Sequence, residues 1–208
     1  MVIAATNGHA MPGVDVFSKV GARTRCDASR RKALEDVVQL AVEIAREGRE
    51  GRKIGTLFVV GDGDQVRERS RQLILDPLHG HAAELLRLDR PEFRETVKEL
   101  AQLDGAFLVD DDGTFRSAGR YVEVDLSADA SFVSGLGTRH AAAASITSVT
   151  DAVAVVVSQS SVVRVLARGA VKAEIIPELY LMAKERLFAA GAELEQVPEA
   201  GLTVALAD

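Results

Sequence analysis

Apolar and polar positions along this chain alternate in a way that lays out helices and strands in turn. Leu34, Val37, Val38, Ala41, Ile44 and Ala45 recur at helical spacing and predict an amphipathic helix over residues 30–47, capped by Asp27 or Ser29. Lys53 to Val60 (KIGTLFVV) is a continuous apolar run between glycines, the pattern of a central strand buried on both faces. A turn at 61–64 leads to a predicted helix over 65–75, and Pro77 and Gly80 make residues 76–81 a loop. Residues 92–103 read as a second amphipathic helix, with Pro91 in its first turn, where a missing N–H costs nothing. A strand at 106–109, the turn signal DDDG at 110–113 and a returning strand at 114–118 form a hairpin, and 121–124 reads as one more short strand.

The second half repeats the alternation. An alanine-rich helix spans 138–149, a fully apolar strand 152–157, and a hairpin 162–167 with 171–175 around Arg168-Gly169-Ala170. Pro177 opens a last helix. Residues 1–26 read as an irregular arm with a short strand near Val14–Phe17, and 191–208 as a tail without an assigned element. The expectation is one α/β domain over 27–190, with a central mixed β-sheet flanked by helices.

Composition narrows the function classes. With 47% hydrophobic residues and 4% aromatics the core must be aliphatic. A net charge of −6 argues against a broad nucleic-acid surface, so an anion site would need a few placed groups. Cys26 is the single cysteine and cannot pair within the chain, which together with the absence of a long apolar run or a signal-like start predicts a cytoplasmic protein without membrane contact.

Two segments carry candidate chemistry. Gly135-Leu136-Gly137-Thr138-Arg139-His140 leads a loop into the alanine-rich helix. Thr138 reads as the N-cap, and the helix start presents N–H groups, the positive end of the dipole, a guanidinium and an imidazole, a set suited to phosphate. Upstream, Asp104-Gly105-Ala106 precedes an apolar strand. Asp-Gly alone is a common turn pair. Beside a phosphate cradle, the Asp104 carboxylate could orient a ribose hydroxyl or hold a metal, while Gly105 and Ala106 would let backbone approach a ligand. His79 and His81 lack ligand partners at suitable spacing and read as a polar loop; Asp110, Asp111 and Asp112 read as a solvated turn; Arg67, Arg69 and Arg71 read as the wet face of a helix. Gly61-Asp62-Gly63 lacks the third glycine of a dinucleotide site, and no Walker-type loop occurs.

LDGAFLVDDDG followed by GLGTRHAAAASIT, AVAVVVSQSS and RVLARGAVKAEI resembles the diadenylate cyclase domain, the nucleotide-binding domain at the start of the DNA integrity scanning protein DisA. The resemblance runs from about residue 30 to about residue 176 and is greatest to members of archaeal type. It implies condensation of two ATP into cyclic di-AMP with release of pyrophosphate, dependence on Mn²⁺ or Mg²⁺, and a head-to-head homodimer. It further implies catalytic roles for Asp104, Arg139 and His140, nucleotide contacts from Gly105, Ala106, Gly137, Thr138, Arg139, His140, Ser158 and Gln159, and metal binding by Asp104 and His140. The chain departs from the common pattern at Ala141, where many members have arginine, and at Gln159, where many have glutamate. Arg120 is a candidate to replace the missing cation. The departures keep open a rival reading, a non-catalytic sensor or pairing subunit that binds ATP or cyclic di-AMP. An α/β interaction domain without a ligand is a third. The helical DNA-binding region of DisA has no counterpart in this sequence, so DNA binding is not expected.

Overall fold

The computed structural model describes residues 28–124, 137–184, 193–197 and 202–206. The expected arm, the strand near Val14–Phe17, the cap Asp27 and the loop residues Gly135 and Leu136 lie outside them. In chain order the elements are α1 (Ala28–Glu47), β1 (Thr56–Val60), α2 (Gly63–Glu68), β2 (Ser70–Gln72), a 3₁₀ turn at Ala83–Leu85, α3 (Pro91–Leu100), β3 (Ala106–Val109) and β4 (Phe115–Val122). There follow α4 (Thr138–Val149), β5 (Val153–Val157), β6 (Val163–Ala167), β7 (Ala170–Ile175), α5 (Pro177–Lys184), β8 (Glu193–Val197) and β9 (Leu202–Leu206). No helix among the described residues is long and apolar enough to cross a membrane.

Seven strands form one mixed sheet in the order β2-β4-β3-β1-β5-β6-β7, and β8 pairs with β9 separately. Only β1 and β3 run parallel; the other pairs are antiparallel. Every residue of β1, β3 and β5 is buried, which is why these strands read as unbroken apolar runs. One core lies between the sheet and α1 and α3, around Leu34, Val38, Phe58, Phe93 and Phe115. The other lies beneath α4, around Leu57, Leu108, Ala143, Ile146 and Val156. Phe115 is fully buried and meets the rings of Phe58, Phe93 and Phe107 at centroid distances of 6.3, 5.2 and 5.9 Å.

Several expectations need correction. The helix over 65–75 stops at Glu68: the Ser70 hydroxyl donates to the Val66 carbonyl, and Ser70–Gln72 become an edge strand paired with Val122, Tyr121 and Arg120. Pairing with an open sheet edge overrides the helical pattern of this segment. Arg71 therefore sits on β2, stacked over the Tyr121 ring at 4.8 Å, rather than on a helix face. The two strands expected at 114–118 and 121–124 are one strand, with a register shift opposite β3. Ser29 lies within the first turn of α1 rather than ahead of it, because the helix is already formed at Ala28. The tail contributes a hairpin, β8 with β9.

Cutting Phe115 back to alanine should remove the ring that joins three others. Phe115→Ala is expected to cost about 3–5 kcal/mol of unfolding free energy in a urea titration; a loss below about 1 kcal/mol would show that this cluster does not anchor the core.

Candidate active site

One end of the sheet gathers the start of β1, the start of β3, the end of β4 and the end of β5, since β1 and β3 run opposite to β4 and β5. The N-terminus of α4 lies over the same end. Between them opens a cavity of about 550 Å³. Asp104, Gly105 and Ala106 form one wall; Thr138 and Arg139 form another. Leu73, Tyr121 and Val122, none of them singled out in the sequence, supply an apolar flank, and Leu73 and Tyr121 are left exposed there. An apolar flank beside a cation and a carboxylate suits a ligand with a flat apolar body and an anionic tail.

Asp104, in the bend just before β3, and Arg139, the second residue of α4, meet at the mouth, Oδ1 to Nη2 at 3.6 Å. The Asp104 side chain is 82% exposed and that of Arg139 35%. Such an ion pair contributes little to stability, so an incoming anion can take the place of Asp104 at the guanidinium without large loss. Gly105 has an internal reason to lack a side chain: its φ is +102°, and a Cβ would fall 2.5 Å from the Gly119 carbonyl carbon and 2.6 Å from the Arg120 nitrogen. Its bare Cα serves the contact between the start of β3 and β4, in addition to any ligand.

The helix start differs in one detail from expectation. Gly137, not Thr138, is the N-cap, because Gly137 has extended backbone and Thr138 is the first helical residue. Glycine offers no side chain to close the first N–H groups of α4, which leaves that role open to an anion. His140 turns away from the cavity. It is buried, and its Nε2 lies 3.3 Å from Nη1 of Arg164. Arg164 is in turn paired with Glu174, its register partner on β7. Burial, and then the Arg164 guanidinium, pull the imidazole down to about 4, against a partial opposing pull from Glu174. His140 is thus a neutral acceptor that ties α4 to the β6–β7 hairpin, and the structure does not bring it together with Asp104.

Ser158 and Gln159 stand in the turn after β5 and do not line the cavity. The Ser158 hydroxyl lies 2.8 Å from that of Ser160, while Gln159 packs beside Gly55, against which Arg139 also rests. Arg120 lines the cavity, but its guanidinium is committed to the chain itself. Nε donates to the Ser70 hydroxyl, and Nη2 to the carbonyls of Ser70 and Arg67. It braces the edge strand and is not placed to substitute for a cation at position 141.

No three His, Cys, Asp or Glu side chains among the described residues come together as a metal-binding set. The donors present fit an Mg²⁺ or Mn²⁺ ion held by Asp104, the one carboxylate that lines the cavity among the described residues, and shared with a ligand's phosphates, the usual mode for a hard ion that keeps its waters. They do not fit a preformed cage, and an ion at His140 Nε2 would face the Arg164 cation.

A mixed sheet with a carboxylate and a helix N-terminus facing across one cavity makes an α/β site suited to an anionic ligand. The matching family model is that of the DisA bacterial checkpoint controller nucleotide-binding domain, which aligns with residues 43–171, and the chain belongs to this family. A protein named diadenylate cyclase from Methanocaldococcus jannaschii is 43% identical over 157 residues, covering 75% of this chain and 49% of its own length. Another of that name, from Haloferax volcanii, is 36% identical over 151 residues, covering 71% and 54%. The chain spans about half the length of the curated relatives it matches. A hypothetical membrane spanning protein from Bacillus cereus shares the fold, with a TM-score of 0.51 at 20% identity over 67% of this chain and 62% of that one.

The state of His140 has a measurable consequence. Between about 6.5, its ordinary value, and about 4 the folded chain binds fewer protons than the unfolded chain, so stability falls as pH is lowered through that window. The loss attributable to His140 is on the order of 3 kcal/mol. Urea titrations at pH 7 and pH 4.5 should show a smaller acid loss for His140→Gln than for the wild type; parallel losses would mean that His140 is not buried as a neutral group.

Proposed function

We propose that this chain is a diadenylate cyclase. In this reading two ATP molecules, held in facing cavities of two copies, are condensed into cyclic di-AMP and two pyrophosphates. The observation that carries the reading is the meeting of Asp104 and Arg139 at one cavity mouth, supported by the family membership and by the names of the archaeal relatives.

The residues divide the work by chemistry. Leu73, Tyr121 and Val122 provide the apolar flank for the base. The N–H groups at the start of α4 and the Arg139 guanidinium hold phosphate oxygens and offset charge at the α-phosphorus. The exposed Asp104 carboxylate accepts a hydrogen bond from the 3′-hydroxyl and orients it. In each of two equivalent transfers that oxygen forms a bond to the α-phosphorus of the other ATP, the α–β anhydride bond breaks, and pyrophosphate leaves with the electron pair; the hydroxyl proton passes to solvent by way of Asp104. Asp104 would hold a divalent ion, which would lower the hydroxyl's pKa and offset phosphate charge. Two identical linkages in the product require two sites that face each other, so the active form is a symmetric pair of copies.

The rival reading, a sensor or pairing subunit, is favoured by one observation: Gln159 offers a neutral amide and Ala141 a methyl at the two positions where the family resemblance leads one to expect charges. Asp104→Asn separates the two. It should bind ATP within a few-fold of the wild type by calorimetry while product formation falls at least about 100-fold. Undiminished turnover in Asp104→Asn would overturn the assignment of Asp104, and ATP binding without turnover in the wild type would favour the sensor.

A further inference from the structure

We infer that Gly55 is a positioning residue, the seat that fixes the direction of the Arg139 guanidinium; the inference rests on the nucleotide-binding reading above. Gly55 is the buried residue just before β1. A Cβ built there would stand 3.1 Å from Arg139 Nη1, 3.3 Å from the Val157 carbonyl oxygen and 3.4 Å from Gln159 Cγ. One terminal nitrogen of Arg139 therefore lies against the bare Cα, with the end of β5 and Gln159 beside it. Its other terminal nitrogen, Nη2, is the one that faces Asp104.

Backbone geometry does not call for glycine here. Gly105 and Gly119 have positive φ, whereas Gly55 does not. What calls for it is room. The Val157 carbonyl cannot retreat, because Val157 is fixed in register with Thr56 by the ladder between β1 and β5. A methyl at 55, held against that carbonyl, therefore presses on Arg139 Nη1, and the guanidinium must give by a few tenths of an ångström and turn from its present direction. An arginine carries large rotamer freedom, and its fork recognises phosphate only when aimed. A seat that fits the planar head against one nitrogen and leaves the other at the cavity mouth supplies that aim. The sequence motif at 138–140 names the cation but not the surface that orients it.

Calorimetric titration with ATP and with adenosine, both with Mg²⁺, tests this. Gly55→Ala should weaken ATP binding about tenfold, the scale of one misaimed charge-assisted hydrogen bond, and leave adenosine binding within about twofold. In an Arg139→Lys background, which has no planar head to seat, the same alanine should add nothing. The inference is overturned if Gly55→Ala binds ATP as the wild type does, if ATP and adenosine weaken together, or if the alanine effect persists undiminished in the Arg139→Lys background. Should Gly55→Ala fail to fold, Arg139→Lys alone decides. It keeps the charge but cannot use the seat, so ATP binding must weaken at least about fivefold, and wild-type affinity would contradict the role of Gly55. A wild type that binds no ATP would instead remove the nucleotide reading itself, an outcome distinct from any of these.

Discussion

Where Gly105 meets Gly119 and Arg120, the start of β3 and the middle of β4 touch backbone to backbone, and the candidate site depends on that contact. Both glycines hold positive φ, and a Cβ on Gly105 would stand 2.5 Å from the Gly119 carbonyl carbon. The approach coincides with the shift in register along β4. It sets Asp104 at the edge of the cavity and brings Tyr121 to its flank. The same contact holds the chain as it leaves β2, where the N–H groups of Leu73 and Ile74 both donate to the Gly119 carbonyl. One close approach thus joins the carboxylate, the apolar flank and the edge of the sheet.

The opposite wall is built on different physics. α4 packs its small residues Ala143 and Ala144 onto the sheet and is fastened near its start by His140, which accepts from Arg164, which is held by Glu174. Arg139, one residue earlier, points the other way into the cavity. Consecutive residues of one motif therefore do opposite things: the histidine secures the helix and the arginine faces the ligand. With a net charge of −6 the chain has no bulk positive field to attract phosphate, so the aim of this one guanidinium carries more weight.

Much of this was legible in the sequence. The buried strands β1, β3 and β5 stood out as apolar runs, and Asp104, Gly105, Thr138 and Arg139 stood out because carboxylate, glycine, hydroxyl and guanidinium are unusual together at strand and helix starts. The rest was not legible, for physical reasons. Gln65–Leu75 has a helical pattern, and only the open edge of β4, a long-range partner, turns Ser70–Gln72 into a strand. Leu73 reads as part of that helix and Tyr121 as an ordinary strand residue until the edge gathers them around the cavity. His140 belongs by motif with Arg139, but its surroundings are set by a cross-strand pair on β6 and β7 that no local spacing announces. Gly55 sits inside an apolar run where a glycine signals little, and its meaning comes from an arginine on another element.

The central claim is that the cavity shared by Asp104 and Arg139 joins two nucleotides. Its most direct test is to incubate the purified wild-type chain with ATP and Mn²⁺ or Mg²⁺ and to separate the products with mass detection. The account predicts cyclic di-AMP accumulating with two equivalents of pyrophosphate. ATP recovered intact with both metals, from folded protein shown to bind it, would contradict the claim.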